Sequence, residues 1–479
     1  STQSRSSAAS DVYKRQVLDY MQRTGQANPE VQMTAERYIG LGYQRLLTFE
    51  SPGGGFSLFG GPPADTFLTA YGLLELSDMS RVYPVDEDLL ARTAGWLLQQ
   101  QQPDGTWQVK DYRAGRGRLG ATSYVAWALI QAGYRDDPRV EKAIHYIRQS
   151  ALQEEDPYDL ALAANALAAY DPRDLSTRAV LDRLYGMGQQ EEDRFFWPAR
   201  EASFMGATGA SGNIETTALA AMAMLQADAY PQAVQGALAY LIQVKTPEGI
   251  WGSTQATILS LKALLLASEK AGMAAEPATV RVSLNGEQAQ EIAIDEHNAD
   301  VVHLVTFDRG FRARDNRVEI EVQGGSNLMY QVTTRFYLPW ELVPPREAGE
   351  PITIDLAYDR TTLAVNDTVT VDATVRLNVP GVVRLALVDL GLPPGFSVLT
   401  EDLERLVEQG LIARYEVTGR QIIVYIEDLF EGKPLRFSYR LRARFPLRAQ
   451  TQPSVAYDYY NPADRAVRSP LQITVSQVP

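Results

Sequence analysis

The sequence predicts a multidomain α plus β protein: an α/α toroid, then a small β unit, then an antiparallel β-sandwich with one inserted helix. Three observations predict it. Gly-aromatic turns recur through the first half at a spacing near 48 residues, each followed by a nearly all-apolar helix. Near Pro277 the hydrophobic period drops to two. Beyond a Pro-rich linker, short alternating strands run to the end with a single amphipathic helix among them.

Residues 1–16, STQSRSSAASDVYKRQ, are polar, Ser-rich and without periodicity, and are expected to form a disordered or artefactual leader. Residues 17–274 read as helical. Their turns include Gly55-Phe56, Gly105-Thr106-Trp107 and Gly249-Ile250-Trp251. Gly55 to Gly105 is 50 residues, and Gly105 to Gly249 is 144, three times 48. The apolar helices are expected at Thr66–Leu76, Thr122–Ala132, Asp159–Tyr170, Thr216–Gln226 and Thr254–Ala267. Helices apolar all round must be buried on all sides. Amphipathic helices such as Asp86–Gln102 and Arg139–Gln149 lie between them, and an alternation of inner and outer helices closes into a toroid. The Gln-x-x-Gly-x-Trp string at Gln102–Trp107 is expected to lock one hairpin onto the next.

Residues 277–340 form the β unit, with strands at Val280–Leu284 and Ile292–Ile294 joined by the Asn285-Gly286 turn. Val318–Val322 and Met329–Tyr337 are expected to continue it. After the linker Pro339–Pro351, residues 350–479 carry strands at Ile352–Tyr358, Thr368–Leu377, Val382–Val388, Ala413–Val417, Gln421–Ile426, Leu435–Phe445, Ser454–Tyr460 and Leu471–Val475. The helix Glu401–Gln409 interrupts them, as in a sandwich with one insertion.

Composition removes several function classes. A net charge of −14 repels phosphate backbones, so no nucleic acid partner is expected. With no cysteine, these 479 residues hold no disulfide, zinc–thiolate site or thiol nucleophile. His145, His297 and His303 are the three histidines, a poor supply for metal or acid–base chemistry, and no metal or cofactor is expected. His145 reads as a partly buried residue of an outer helix. His297 and His303 flank an Asp/Asn-rich turn without a partner cluster. The acidic runs at Asp86–Asp88, Glu154–Asp156 and Glu191–Asp193 read as solvated helix ends. Apolar stretches such as Leu160–Leu167 and Leu261–Ala267 fall short of the ~18–20 residues of a membrane span.

Several strings carry a family resemblance: Val17-Leu18-Asp19-Tyr20, Gly42-Tyr43-Gln44-Arg45, Phe67-Leu68-Thr69-Ala70-Tyr71, Glu215-Thr216-Thr217-Ala218, Trp251-Gly252-Ser253-Thr254-Gln255-Ala256-Thr257, Leu392-Pro393-Pro394-Gly395-Phe396 and VAYDYYNP from Val455 to Pro462. In this order they resemble the C-terminal part of bacterial-type alpha-2-macroglobulins and complement-like thioester proteins. The resemblance implies a thioester-type domain over 17–274, a CUB-like unit over 277–340 and a receptor-binding-type macroglobulin domain over 350–479. It further implies an endopeptidase inhibitor, not an enzyme, with proteases as targets and upstream macroglobulin domains of the same protein as partners. Such a protein works outside the cell, in the periplasm or at the cell surface.

In that family the cysteine and glutamine of a Cys-x-Glu-Gln motif form an internal thioester shortly before the segment matching Val17. Here that place falls on Gln3-Ser4-Arg5-Ser6, which is unrelated to it, so the chain is expected to be a fragment with the thioester upstream of Val17. Some members place a histidine soon after the Gly-x-aromatic turn. The string QVKDYRAGRGRLG, residues 108–120, has none, which implies direct attack by amines. The lysines of the vertebrate receptor-binding helix are also missing from Glu401–Gln409.

A thioester hydrolyses in water and survives behind apolar and aromatic side chains. By resemblance the sandwich supplies part of that cover, with Tyr457, Tyr459 and Tyr460 as candidates; the alternative is that these tyrosines simply pack the sandwich and its surface. Two other functions compete: an adhesion or scaffold protein with a degenerate thioester domain, and an α/α-toroid polysaccharide lyase. A terpene cyclase would need Asp-x-Asp-Asp at an inner-helix head, and a prenyltransferase a cysteine-containing zinc site; the sequence has neither.

Overall fold

Two hydrophobic patterns make two kinds of helix in the first half. The helices are α1 (Pro29–Leu47), α2 (Thr66–Ser80), α3 (Glu87–Gln99), α4 (Arg118–Gln131), α5 (Pro138–Ser150), α6 (Pro157–Tyr170), α7 (Leu175–Gly186), α8 (Gly209–Gln226), α9 (Pro231–Gln243) and α10 (Thr254–Ala271). In α4 every residue from Leu119 to Ile130 is buried, whereas α5 buries Val140, Ala143, Ile144 and Ile147, one stripe at helical spacing. Aspartates cap the starts: Asp65 accepts from Leu68 N at 2.8 Å, and Asp86, Asp137, Asp156 and Asp174 do the same for α3, α5, α6 and α7. The apolar helices α2, α4, α6 and α8 pack in sequence. Lys262 of α10 reaches Asp78 of α2 at 2.5 Å and joins the last inner helix to the first.

The computed structural model describes residues 29–58, 60–108, 117–246, 249–271, 277–295, 303–324, 328, 330–334, 336–342 and 350–477. The leader, Val17–Tyr20 and His297 lie outside the described residues. The chain divides into two compact units, Ser1–Ala263 with Phe336–Pro479, and Leu264–Arg335. Among the described residues no helix is long and apolar enough to cross a membrane.

The Trp turns work as ties. The indole of Trp107 donates to Leu97 O, at the end of α3, at 2.7 Å, and its backbone N–H donates to Thr122 Oγ1 in α4 at 3.2 Å. Trp251 repeats this with Leu241 O at 2.5 Å and Thr257 Oγ1 at 3.0 Å. A third copy, absent from the sequence expectation, is Trp197, bonded to Leu184 O at 2.6 Å and Thr217 Oγ1 at 3.1 Å. At the first turn Phe56 N donates to Thr69 Oγ1 at 2.8 Å, without an indole.

Residues 350–477 form the sandwich within the first unit. One sheet has the order β10-β13-β8-β6 and the other β11-β12-β9-β15-β16. Here β6 is Ile352–Tyr358, β7 Thr362–Ala364, β8 Thr368–Leu377, β9 Val382–Gly391, β10 Phe396–Val398, β11 Arg414–Val417, β12 Gln421–Phe430, β13 Leu435–Ala443, β14 Leu447–Gln450, β15 Ser454–Asp458, β16 Arg465–Arg468 and β17 Gln472–Ser476. The inserted helix is α11 (Thr400–Glu408). A small third sheet, β14-β17-β7, pairs β17 with β7 in parallel, an exception to the antiparallel expectation. The inward residues, among them Val371, Val388, Ile422, Tyr439 and Leu441, make one core. In the second unit β3 (Ala278–Leu284) lies between β4 (Gln288–Ile294) and β5 (Val318–Gly324). The Asn285-Gly286 turn takes positive φ at both residues, 55° and 74°.

Four expectations are corrected. Glu191–Asp193 is not a helix end but the turn between β1 (Gln189–Glu191) and β2 (Arg194–Phe196). The described residues of Met329–Tyr337 form no strand; Tyr330, Phe336 and Tyr337 are largely exposed, and the alternating pattern has no ladder partner there. The Leu435–Phe445 strand ends at Ala443, because Pro446 cannot donate to a ladder and the chain restarts as β14. His145 is exposed rather than partly buried: it lies off the apolar stripe of α5 and meets Gln149 at 2.9 Å.

Candidate functional site

The starts of the inner helices converge on an aromatic cluster. Phe67 of α2 stacks on Tyr124 of α4 at 4.6 Å between ring centres and on Phe204 at 4.7 Å, and Tyr158 of α6 lies 6.2 Å from Phe204. Phe204 comes from the segment between β2 and α8, so a loop side chain completes what the helices begin. Burial first, then the neighbouring Tyr71, Tyr158, Glu75 and Glu215, pushes the Tyr124 hydroxyl well above the ordinary tyrosine range. Glu75 and Glu215 are both buried, and Ser253 at the head of α10 donates to Glu215 Oε1 at 3.3 Å.

The loop that carries Phe204 is closed on itself. Ser203 N donates to Ala207 O at 2.8 Å, Gly206 N to Ser203 O at 2.8 Å, and Ala207 N to Ser203 Oγ at 3.1 Å. Gly206 sits at φ +83°, and a Cβ there would meet the Tyr460 ring at 3.0 Å. Its far side therefore presents Met205 and a bare backbone to the sandwich.

The sandwich answers with the turn between β15 and β16. Tyr457 and Tyr460 are buried with Leu385, Leu387 and Ile423, and Met205 of the toroid packs against this cluster. Tyr459 is half-buried, edge-on to Tyr460 at 5.0 Å, with its N–H on Leu385 O at 2.9 Å. Asn461 Oδ1 accepts from Thr208 N at 2.8 Å, and its Nδ2 donates to Gly206 O at 3.2 Å and Asp458 Oδ2 at 2.7 Å. Pro462 approaches Gly252, whose Cβ position lies 3.7 Å from Pro462 Cγ. Burial raises the carboxyls of Asp458 and Asp464 above the usual range.

Of the three tyrosines named from sequence, Tyr457 and Tyr460 thus meet the toroid-facing cluster and Tyr459 flanks it. The sequence reading missed Phe204, Met205, Gly206, Thr208 and Asn461. SFMGAT has no period and follows no repeat; its one signal is two large apolar residues in an irregular segment. The seat is lined by the apolar side chains of Leu385, Leu387, Ile423, Tyr457, Tyr460 and Met205. Among the described residues, no group of three His, Cys, Asp or Glu side chains could hold a metal.

Comparisons with known proteins agree in both halves. The A-macroglobulin TED domain model matches residues 6–266, and the A-macroglobulin receptor binding domain model matches residues 382–470. Ovostatin of Gallus gallus is 20% identical over 475 residues, covering 94% of this chain and 32% of that protein. Thioester-containing protein 1 allele S1 of Anopheles gambiae is 23% identical over 479 residues, with 94% of this chain and 33% of that protein covered. The chain therefore spans about a third of the curated relatives it matches. Among solved structures, native alpha-2-macroglobulin from Escherichia coli, from domain MG7 to the C-terminus, gives a TM-score of 0.65 at 19% identity, covering 95% of this chain and 70% of that one. Salmonella alpha-2-macroglobulin reacted with methylamine gives 0.68 at 17% identity, covering 98% and 30%.

Proposed function

The chain belongs to the A-macroglobulin family, whose TED domain model spans more than half of it, and on that premise we propose that the intact protein is a protease trap. A protease cuts a bait segment upstream of these residues. The toroid then parts from the sandwich, and an exposed thioester acylates an amine of the attacker. In this reading the chain houses and covers the reactive bond; it traps and does not turn over, and it acts outside the cytoplasm.

The observation that supports the reading best is the seat of the β15–β16 turn on the loop beside the inner-helix heads. Tyr460 and Met205 bury each other there, and an apolar lid at that place would keep water from a thioester. Chemistry at the bond is direct aminolysis: the amine attacks the thioester carbonyl, the thiolate leaves, and an amide forms. The stretch 108–120 supplies no histidine to relay the acyl group to hydroxyls.

The test is to read the open reading frame upstream of Val17 and treat the intact protein with methylamine. A Cys-x-Glu-Gln motif, methylamine uptake and release of a thiol are expected. An intact N-terminal region without that motif sinks the covalent trap and leaves the scaffold reading. With the motif present, Tyr460→Ala should speed methylamine uptake by about tenfold or more, the scale of about 1.4 kcal/mol of lost shielding.

A further inference from the structure

Apolar contacts at the toroid–sandwich seat can slide, whereas hydrogen bonds to fixed backbone groups cannot. Met205 and Pro462 supply area without direction. Asn461 supplies direction. It is 7% exposed, and both ends of its amide are engaged. The network allows one orientation of that amide. Thr208 N–H only donates, so Oδ1 must face it, and that turns Nδ2 toward Gly206 O and Asp458 Oδ2. Thr208 is the residue before α8, and Gly206 is the closing residue of the loop that carries Phe204 into the inner cluster. Two backbone groups of the toroid, one on either side of Ala207, are thus read by one side chain of the sandwich. Asp458 holds that side chain from behind and also accepts from Tyr460 N at 2.9 Å, so the same carboxylate orients the asparagine and the tyrosine.

We infer that Asn461 is the positioning residue that registers the β15–β16 turn, and with it Tyr460, on the toroid loop at Gly206 and Thr208. Its consequence for reactivity rests on the trap reading; the contact itself does not.

The test is hydrogen exchange at the Thr208 amide in this 479-residue chain, in wild type, Asn461→Ala and Asn461→Asp. An aspartate at 461 keeps the acceptor for Thr208 but loses the donor, and it sets a second carboxylate against Asp458. The other charged groups on the elements around this pair are Asp464 on the turn, Arg465 and Arg468 on β16, Arg384 and Asp389 on β9, and Glu215 on α8; the loop from Ser203 to Thr208 carries none. At about pH 8, the protection factor of Thr208 should fall at least roughly tenfold in both variants: Asn461→Ala removes the acceptor, and in Asn461→Asp repulsion from Asp458 drives the carboxylate off Thr208. At about pH 5, one proton shared between the carboxyls supplies the missing donor, so Asn461→Asp should recover protection and Asn461→Ala should not. A Thr208 amide as protected in Asn461→Ala as in wild type overturns the inference, as does an Asn461→Asp chain whose protection ignores pH. Exchange that responds as expected, with methylamine uptake by the intact protein unaltered in the same variants, keeps Asn461 and removes the shield.

Discussion

Trp107, Trp197 and Trp251 each bind two helices by two hydrogen bonds, and the acceptor of the second is a threonine of the following inner helix. The threonine hydroxyl is the replaceable part. Thr217→Val keeps shape and volume but leaves Trp197 N–H without its acceptor in a buried place, and should cost about 1–3 kcal/mol. Urea unfolding measures it, and a loss below about 0.5 kcal/mol would show that the tie is ornamental. Gly120 offers a sharper case, because propensity and packing disagree in sign. Glycine inside a helix is worse than alanine by ~1 kcal/mol. A Cβ at Gly120, however, would lie 2.4 Å from Asp159 Oδ1, and Asp159 is 2% exposed on α6. Gly120→Ala should therefore destabilise the chain by roughly 1–3 kcal/mol despite the gain in propensity; a higher melting temperature would refute the packing argument.

At the scale of elements, α11 is tied to the sandwich by charge. Asp402 accepts from Arg440 N at 3.1 Å, from Nε at 2.8 Å and from Nη2 at 2.9 Å. Arg440 is the main cause that holds the Asp402 carboxyl below its ordinary range. An unfolded aspartate titrates near ~3.9, so the pair's contribution is complete above that pH and drains away as pH falls through the lowered native value. The melting-temperature gap between wild type and Asp402→Asn should be constant above about pH 5 and close below about pH 4; a gap that widens on acidification would reverse the assignment. The helix itself was legible from sequence, because TEDLERLVE alternates at helical spacing among strands. So were α2, α4, α6, α8 and α10. The Trp197 tie was not: Phe195 stands where Trp107 and Trp251 have glycine two residues before, and the preceding residues form β1 and β2 rather than a tight turn. Met329–Tyr337 failed for the opposite reason, since alternation marks a strand only when a neighbouring strand takes its backbone bonds.

At the scale of the whole chain, the seat between toroid and sandwich was half legible. The repeat and the change of period mark out its two sides, and YDYY marks one lip. The other lip is irregular, and nothing in SFMGAT points across some 250 residues of sequence to Asn461. One signal stood in β9, VVRLALVDLG, buried from Leu385 to Gly391 on both faces; such a run reads as a strand covered twice, and the second cover is the cluster of Tyr457, Tyr460 and Met205. The neighbours Phe204 and Met205 then separate two kinds of stability. Phe204 points into the toroid and is 1% exposed between Phe67, Tyr124 and Tyr158, so Phe204→Ala should cost the toroid itself about 3–5 kcal/mol. Met205 faces Tyr460 and its cluster, so Met205→Glu sets a charge against apolar partners of the sandwich while leaving the inner aromatic cluster intact. Calorimetry on the two variants should give different traces. Phe204→Ala lowers the transition of the helical half. Met205→Glu splits the melt into separate toroid and sandwich transitions and uncovers an apolar sheet face that binds a hydrophobic dye. If Met205→Glu melts in one step like wild type, the two halves are not held by this seat, and the register set at Asn461 has nothing to act on.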